Sequence, residues 1–296
     1  MKPKKRAILN DVLSRKPEKP LYHYTTQSGL LGIIETRKIW ATHTQYLNDR
    51  REFLHAVELV RKEIRRLLDE TPHPSAREAA LAKMQAAVSR SPQEINICVC
   101  SFSEERDSLS QWRAYGGSSG FAVGFSSQVL TAATEKQEWF LAPCIYDPVI
   151  QRDLVRALVE EVLEENLGGP LVEDEEEDSI LKDMGGNLRP DLYTYAPILK
   201  DESFKEEREW RIISHPMFSR RLDYREGRSL LIPYFKFPLW ENNQPRLHEV
   251  VIGPTRDAER SKSSVNSFLL SRKVATETKG TFGPEVRISQ VPYRDW

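Results

Sequence analysis

The run FKEEREWRIIS, residues 204–214, sets two glutamates against the start of an apolar segment. If Glu209 opens a strand, Glu207, Glu209 and Arg211 fall on one face and Trp210 and Ile212 on the other, because strand side chains alternate. Three charged groups on one face suit solvent or a polar cleft. In a cleft, a carboxylate can bond a ribose hydroxyl and stabilise the positive charge that develops as a glycosidic bond opens. His23 lies between two tyrosines in LYHYTT and can hydrogen-bond through either ring nitrogen while staying neutral near pH 7. Trp112, Arg113 and Tyr115 share one turn of a short helix ending in Gly116-Gly117, where an aromatic ring can wall a pocket against a flat ligand. Each group also has a packing reading: a core histidine with its hydrogen bonds satisfied, aromatics filling a core, and a charged strand face in water.

Other chemistries lack their signatures. The sequence has no G-x-x-x-x-G-K-[ST] loop, no G-x-G-x-x-G after a strand and no H-E-x-x-H. Its 43 basic and 44 acidic side chains nearly cancel, so no overall field draws in nucleic acid. Pairs such as Arg65-Arg66 and Arg220-Arg221 read as solvated faces. Cys98 and Cys100 read as buried thiols pointing apart on a strand, without a second ligand pair for zinc. No apolar run reaches the roughly 20 residues of a membrane span, and the N-terminus lacks the apolar core of a signal peptide. A cytoplasmic protein with no membrane association is the expectation.

These groups need elements to hold them. Residues 1–20, rich in Lys, Arg and Pro, read as an N-terminal arm, and 21–296 as one domain with helical insertions at about 50–90 and 150–200. Tyr22 to Tyr24 begins a strand, Thr26 caps a helix with Leu30, Ile33 and Ile34 on its apolar face, and Ile39 to Thr42 forms the next strand. Asn48 or Asp49 caps a long helix, and Ala76 to Val88 completes a helical hairpin. Strands are expected at 94–101, 121–125, 139–146, 209–214, 230–237, 249–253 and 286–291, and helices at 150–167 and 257–270. EDEEED, residues 173–178, reads as an acidic loop. This order is not a regular βαβ succession and favours α+β with a mixed sheet.

Taken together, Y-H-Y-T at 22–25, Y-L-N-D at 46–49, C-S-F-S at 100–103, W-R-A-Y at 112–115, G-F-A-V-G-F at 120–125 and E-R-E-W-R at 207–211 resemble the bacterial domain of unknown function 2971 family. That family is distantly similar to ADP-ribosyltransferases, whose split, mixed β-sheet pinches NAD in a cleft. The resemblance implies that His23 holds the adenine-side ribose, that an aromatic ring stacks on nicotinamide, and that Glu209 engages the nicotinamide ribose. Tyr115, Trp112 and Tyr46 compete for the stacking role, and Glu207 competes with Glu209. Tyr24, Thr25, Asn48 and Arg113 would complete the NAD site. The implied activity is cleavage of the nicotinamide–ribose bond without a metal, with transfer to an acceptor protein or nucleic acid, as in a toxin or defence effector. The alternative is a non-catalytic nucleotide or nucleic-acid binding module using Arg113, Arg208 and Arg211.

Overall fold

The computed structural model describes residues 7–47, 50–88, 96–116, 119–167, 192, 195–240, 247–274, 276–278 and 281–292. The first half contains α1 (Ala7–Ser14), β1 (Leu21–Thr25), α2 (Gln27–Thr36), β2 (Lys38–His43), α3 (Arg50–Glu70), α4 (Ala76–Val88), β3 (Cys98–Ser103), α5 (Leu109–Gln111), β4 (Phe121–Phe125), α6 (Ser127–Gln137) and β5 (Phe140–Pro143). There follow α7 (Pro148–Leu167), β6 (Glu209–Ile213), β7 (Asp223–Glu226), β8 (Leu231–Pro238), β9 (Leu247–Ile252), α8 (Ala258–Ser271), β10 (Thr276–Thr278), β11 (Thr281–Gly283) and β12 (Glu285–Ile288). Thr26 caps α2 by accepting from Gly29 N at 3.3 Å. A Cβ on Gly29 would fall 1.9 Å from Thr25 Oγ1, so glycine is what lets the first turn of α2 close against the end of β1.

The main sheet runs β12-β9-β4-β1-β3-β2-β8-β7, with β6 added on β3 and β5 on β6. β12 and β9 are parallel, and the other pairs are antiparallel. The protein is therefore α+β with a mixed, open sheet.

β3 is its junction. Val99–Ser103 pair with Ile213–Glu209 of β6 along one edge. On the other edge, Ser103 pairs with Tyr22 of β1, and Val99 and Cys98 pair with Thr42 and His43 of β2. β1 and β2 thus share one edge of β3 and part over residues 100–102.

Alternation along β3 and β6 divides the core. Val99 and Ile213 face a cluster made with α3, α4 and α7, including Val60, Ile64, Leu81, Leu158 and Val162. Cys98, Cys100, Phe102, Trp210 and Ile212 face the opposite cluster with Ile39, Phe125 and Phe237. The two cysteines therefore share a face instead of pointing apart, because residues two apart on a strand lie on the same side. The helical insertions complete a core of the sheet, and Val12 of α1 is buried in the same cluster.

The expected strand at 94–101 is β3, displaced toward Ser103, and 139–146 shortens to β5. α6 and β7 had no counterpart in the sequence reading. The acidic run 173–178 and the cap position at 48–49 lie outside the described residues.

Candidate functional site

Glu209 is the centre of a buried charged cluster. Upstream, a 3-10 helix over Glu202–Glu207 is capped by Asp201, whose carboxylate accepts from Ser203 N at 2.9 Å. Arg208 then turns left-handed, with φ 43, and β6 begins at Glu209. The strand period therefore stops at Glu209, and Glu207 comes from the preceding turn. Its Oε2 nevertheless lies 2.6 Å from Lys200 Nζ, which also donates to Glu209 Oε2 at 2.5 Å. Arg211 donates through Nε and Nη2 to the two Glu209 oxygens at 2.7 and 3.0 Å, and through Nη1 to Pro197 O at 2.6 Å.

Lys200, Glu209 and Arg211 are all buried, with Glu207 more open at 18% side-chain exposure. Burial by itself would raise the Glu209 pKa, but the charges and hydrogen bonds of Arg211 and Lys200 outweigh it and bring the carboxyl down to about 2. Two cations facing two carboxylates make the cluster neutral overall, which is how charge persists out of water.

Tyr115 lies on the π-helical turn Trp112–Gly116 and is 38% exposed. Partial burial and the negative charges of Glu209 and Glu207 push its phenol up to about 12, against the opposing pull of Lys200 and Arg211. The phenol is therefore neutral and partly open, within electrostatic reach of the cluster. Tyr146 OH accepts from Glu209 N at 3.0 Å, and Ser103 Oγ donates to Glu207 O at 2.6 Å. Lys200, Tyr146 and Ser103 were missed in the sequence reading. The available signal for Lys200 was a lone lysine ending the apolar run Ala196–Leu199.

His23 occupies a different place. Tyr22, Ser103 and Glu209 stand in register across β1, β3 and β6 and so share a face, while His23 points to the opposite side beside Val123. Its Nδ1 donates to Ser101 O at 2.9 Å, and its ring packs 5.8 Å from that of Phe102. Backbone groups alternate between strand edges, and Cys98 O bonds Ser214 N beyond β6, so Ser101 O faces the gap where β1 and β2 part. The imidazole satisfies a carbonyl that has lost its ladder. Burial lowers the His23 pKa and keeps the ring neutral.

The other residues separate into core and surface. Trp112 is buried, stands edge-on to Tyr24 at 4.7 Å, and donates Nε1 to Asp107 Oδ1 at 2.7 Å, so its ring is spent on packing. Tyr24 OH donates to Glu105 O at 2.6 Å. Tyr46 is partly exposed and edge-on to His43 at 5.3 Å. Thr25 is half-buried at the end of β1, Arg113 is exposed, and Asn48 lies outside the described residues. A cleft of about 740 Å³ opens beside the cluster, with Tyr146, His55, Gln151, Asp201, Lys205 and Glu206 in its wall. Tyr146 joins it to the backbone of Glu209.

No curated protein and no solved structure matches the chain. Residues 111–212, which contain Tyr115, Tyr146, Lys200, Glu207, Glu209 and Arg211, match the model of the family described as Protein of unknown function (DUF2971). Over this stretch the chain is similar to DUF2971, the family its motifs resemble.

Proposed function

We propose that the protein consumes NAD in the manner of an ADP-ribosyltransferase, cleaving the nicotinamide–ribose bond and passing ADP-ribose to an acceptor or to water. The observation that carries this reading is the pair of carboxylates, Glu207 and Glu209, held together by Lys200, with the partly exposed Tyr115 within reach of their charge. In the reaction, the C1′–N bond breaks and its electron pair stays on nicotinamide, which leaves neutral. The ribose gains oxocarbenium character, and a nucleophile closes on C1′ and loses its proton.

Such a step needs fixed negative charge near C1′ and a flat wall for the leaving ring. Glu209 remains ionised throughout the neutral range. A carboxylate offers about four acceptor positions, and three on Glu209 are filled by Arg211 and Lys200. The remaining position on Oε1 can take a ribose hydroxyl, while the more open Glu207 can approach the cationic carbon. Tyr115 supplies the wall, and His23 acts through β3 by fixing the edge where the sheet parts. Incubation of the full chain with NAD and measurement of free nicotinamide tests this directly; folded protein that releases none contradicts it.

The binding-module alternative relied on Arg113, Arg208 and Arg211. Arg211 is engaged by Glu209, and Arg208 pairs with Glu105 at 2.8 Å, which leaves that reading less support.

A further inference from the structure

At the β7 end of the sheet, register brings aromatic and cationic side chains onto one face. Trp40 pairs with Lys236, Lys38 with Pro238, Thr42 with Tyr234, Tyr234 with Asp223, and Ile232 with Arg225. Lys38, Trp40, Tyr234, Lys236 and Arg225 therefore point to the same side. Trp40 is 44% exposed although it is the largest side-chain type, and its ring lies 4.5 Å from that of Tyr234. Arg225 reaches over the indole at 5.8 Å and Lys236 over the Tyr234 ring at 5.9 Å.

Two further observations suit an anionic ligand. The segment 218–238 contains the cations Arg220, Arg221, Arg225, Arg228 and Lys236 against the acids Asp223 and Glu226, in a chain whose formal net charge is −1. Arg225 spends one donor on Thr42 Oγ1 at 3.3 Å, while its buried Nε has no hydrogen-bond partner among the described residues. An acid on the face, Asp223, is matched by Lys236 at 3.3 Å.

We propose that this face binds single-stranded nucleic acid, with a base stacked on Trp40 and the backbone followed by Lys38, Arg225 and Lys236. Tyr234 is buried beneath the exposed indole, so Trp40 is the ring this face offers; an exposed ring with cations beside it is what a single strand requires, since every base has a π-face and every linkage a charge. A duplex hides its bases and cannot use the indole. Binding here requires no chemistry at Glu209.

The test is fluorescence anisotropy with labelled oligo-dT and oligo-U of about 12 nucleotides, within the range one such surface covers, titrated over salt with the full chain. The expected result is binding that falls with salt with a log–log slope of about −2 for three phosphate contacts. Trp40→Ala should weaken it about tenfold or more, Trp40→Phe should retain most of it, and Arg225→Gln should weaken it and make the slope shallower. The two oligonucleotides separate DNA from RNA as the source of the shared chemistry. The proposal is overturned if folded wild-type protein binds neither oligonucleotide at low salt, or if folded Trp40→Ala and Arg225→Gln variants bind like wild type. It is also overturned if duplex or polyglutamate competes as well as the single strand. Circular dichroism melts establish that each variant is folded.

Discussion

Lys200 Nζ donates to Glu209 Oε2 at 2.5 Å with both side chains buried, and the same ammonium reaches Glu207 at 2.6 Å. One lysine thus keeps two like charges together. Removing one partner of a buried pair typically costs about 3–5 kcal/mol, because the other charge stays out of water. Lys200→Met should therefore destabilise the protein by that order in urea unfolding, and Lys200→Arg should lose less. Equal stability of Lys200→Met and wild type would mean that the lysine does not hold the carboxylates in solution.

The low Glu209 pKa gives a pH signature. A carboxyl depressed in the folded state contributes stability that is fully present above its ordinary value of 4.5 and is lost as pH falls through about 2. Stability should therefore drop across this window, and Glu209→Gln should flatten the drop. Urea midpoints between pH 5 and pH 2 measure the difference; parallel curves would argue against the pairing.

His23 calls for a different outcome from Glu209. Its Nδ1 satisfies Ser101 O at the parting of β1 and β2, so His23→Ala leaves a carbonyl unpaired at a cost of about 1–3 kcal/mol. Because the folded-state pKa is lowered, the neutral ring's contribution is present above 6.5 and declines as pH falls below it. Thermal unfolding at pH 7.5 and pH 5.5 should show a larger gap between variant and wild type at the higher pH. A gap that widens toward acid would reverse this assignment.

Tyr115 separates ring from hydroxyl. With its phenol pushed up to about 12, the residue stays neutral throughout the working range. Tyr115→Phe should then leave the neutral-range pH profile of NAD cleavage unchanged, while Tyr115→Ala should raise KM by about tenfold through loss of the stacking wall. A new pH dependence in Tyr115→Phe would place proton transfer on the hydroxyl.

Most elements were legible from local pattern. Thr26 announced α2 by its type and position, and the apolar spacing of Val57, Val60, Ile64 and Leu67 announced α3. β7 was not legible, because its residues Asp223–Glu226 are largely exposed and show no apolar alternation. Glu209, Arg211 and their shared strand face could be read from the two-residue period. Lys200 could not, because a chain reversal at Arg208 and a separate turn bring it to Glu209. Strand period also could not reveal that His23 and Glu209 face opposite sides, since that depends on the β1–β3–β6 register.

Nicotinamide release from NAD by the full chain, compared with folded Glu209→Gln and Glu207→Gln variants and with bacterial lysate as acceptor, tests the central claim most directly. Release by wild type that falls at least about a hundredfold in Glu209→Gln, as expected for a lost electrostatic stabiliser, with a loss in Glu207→Gln as well, supports the account. No release by folded wild type with or without lysate, or undiminished release by Glu209→Gln, contradicts it.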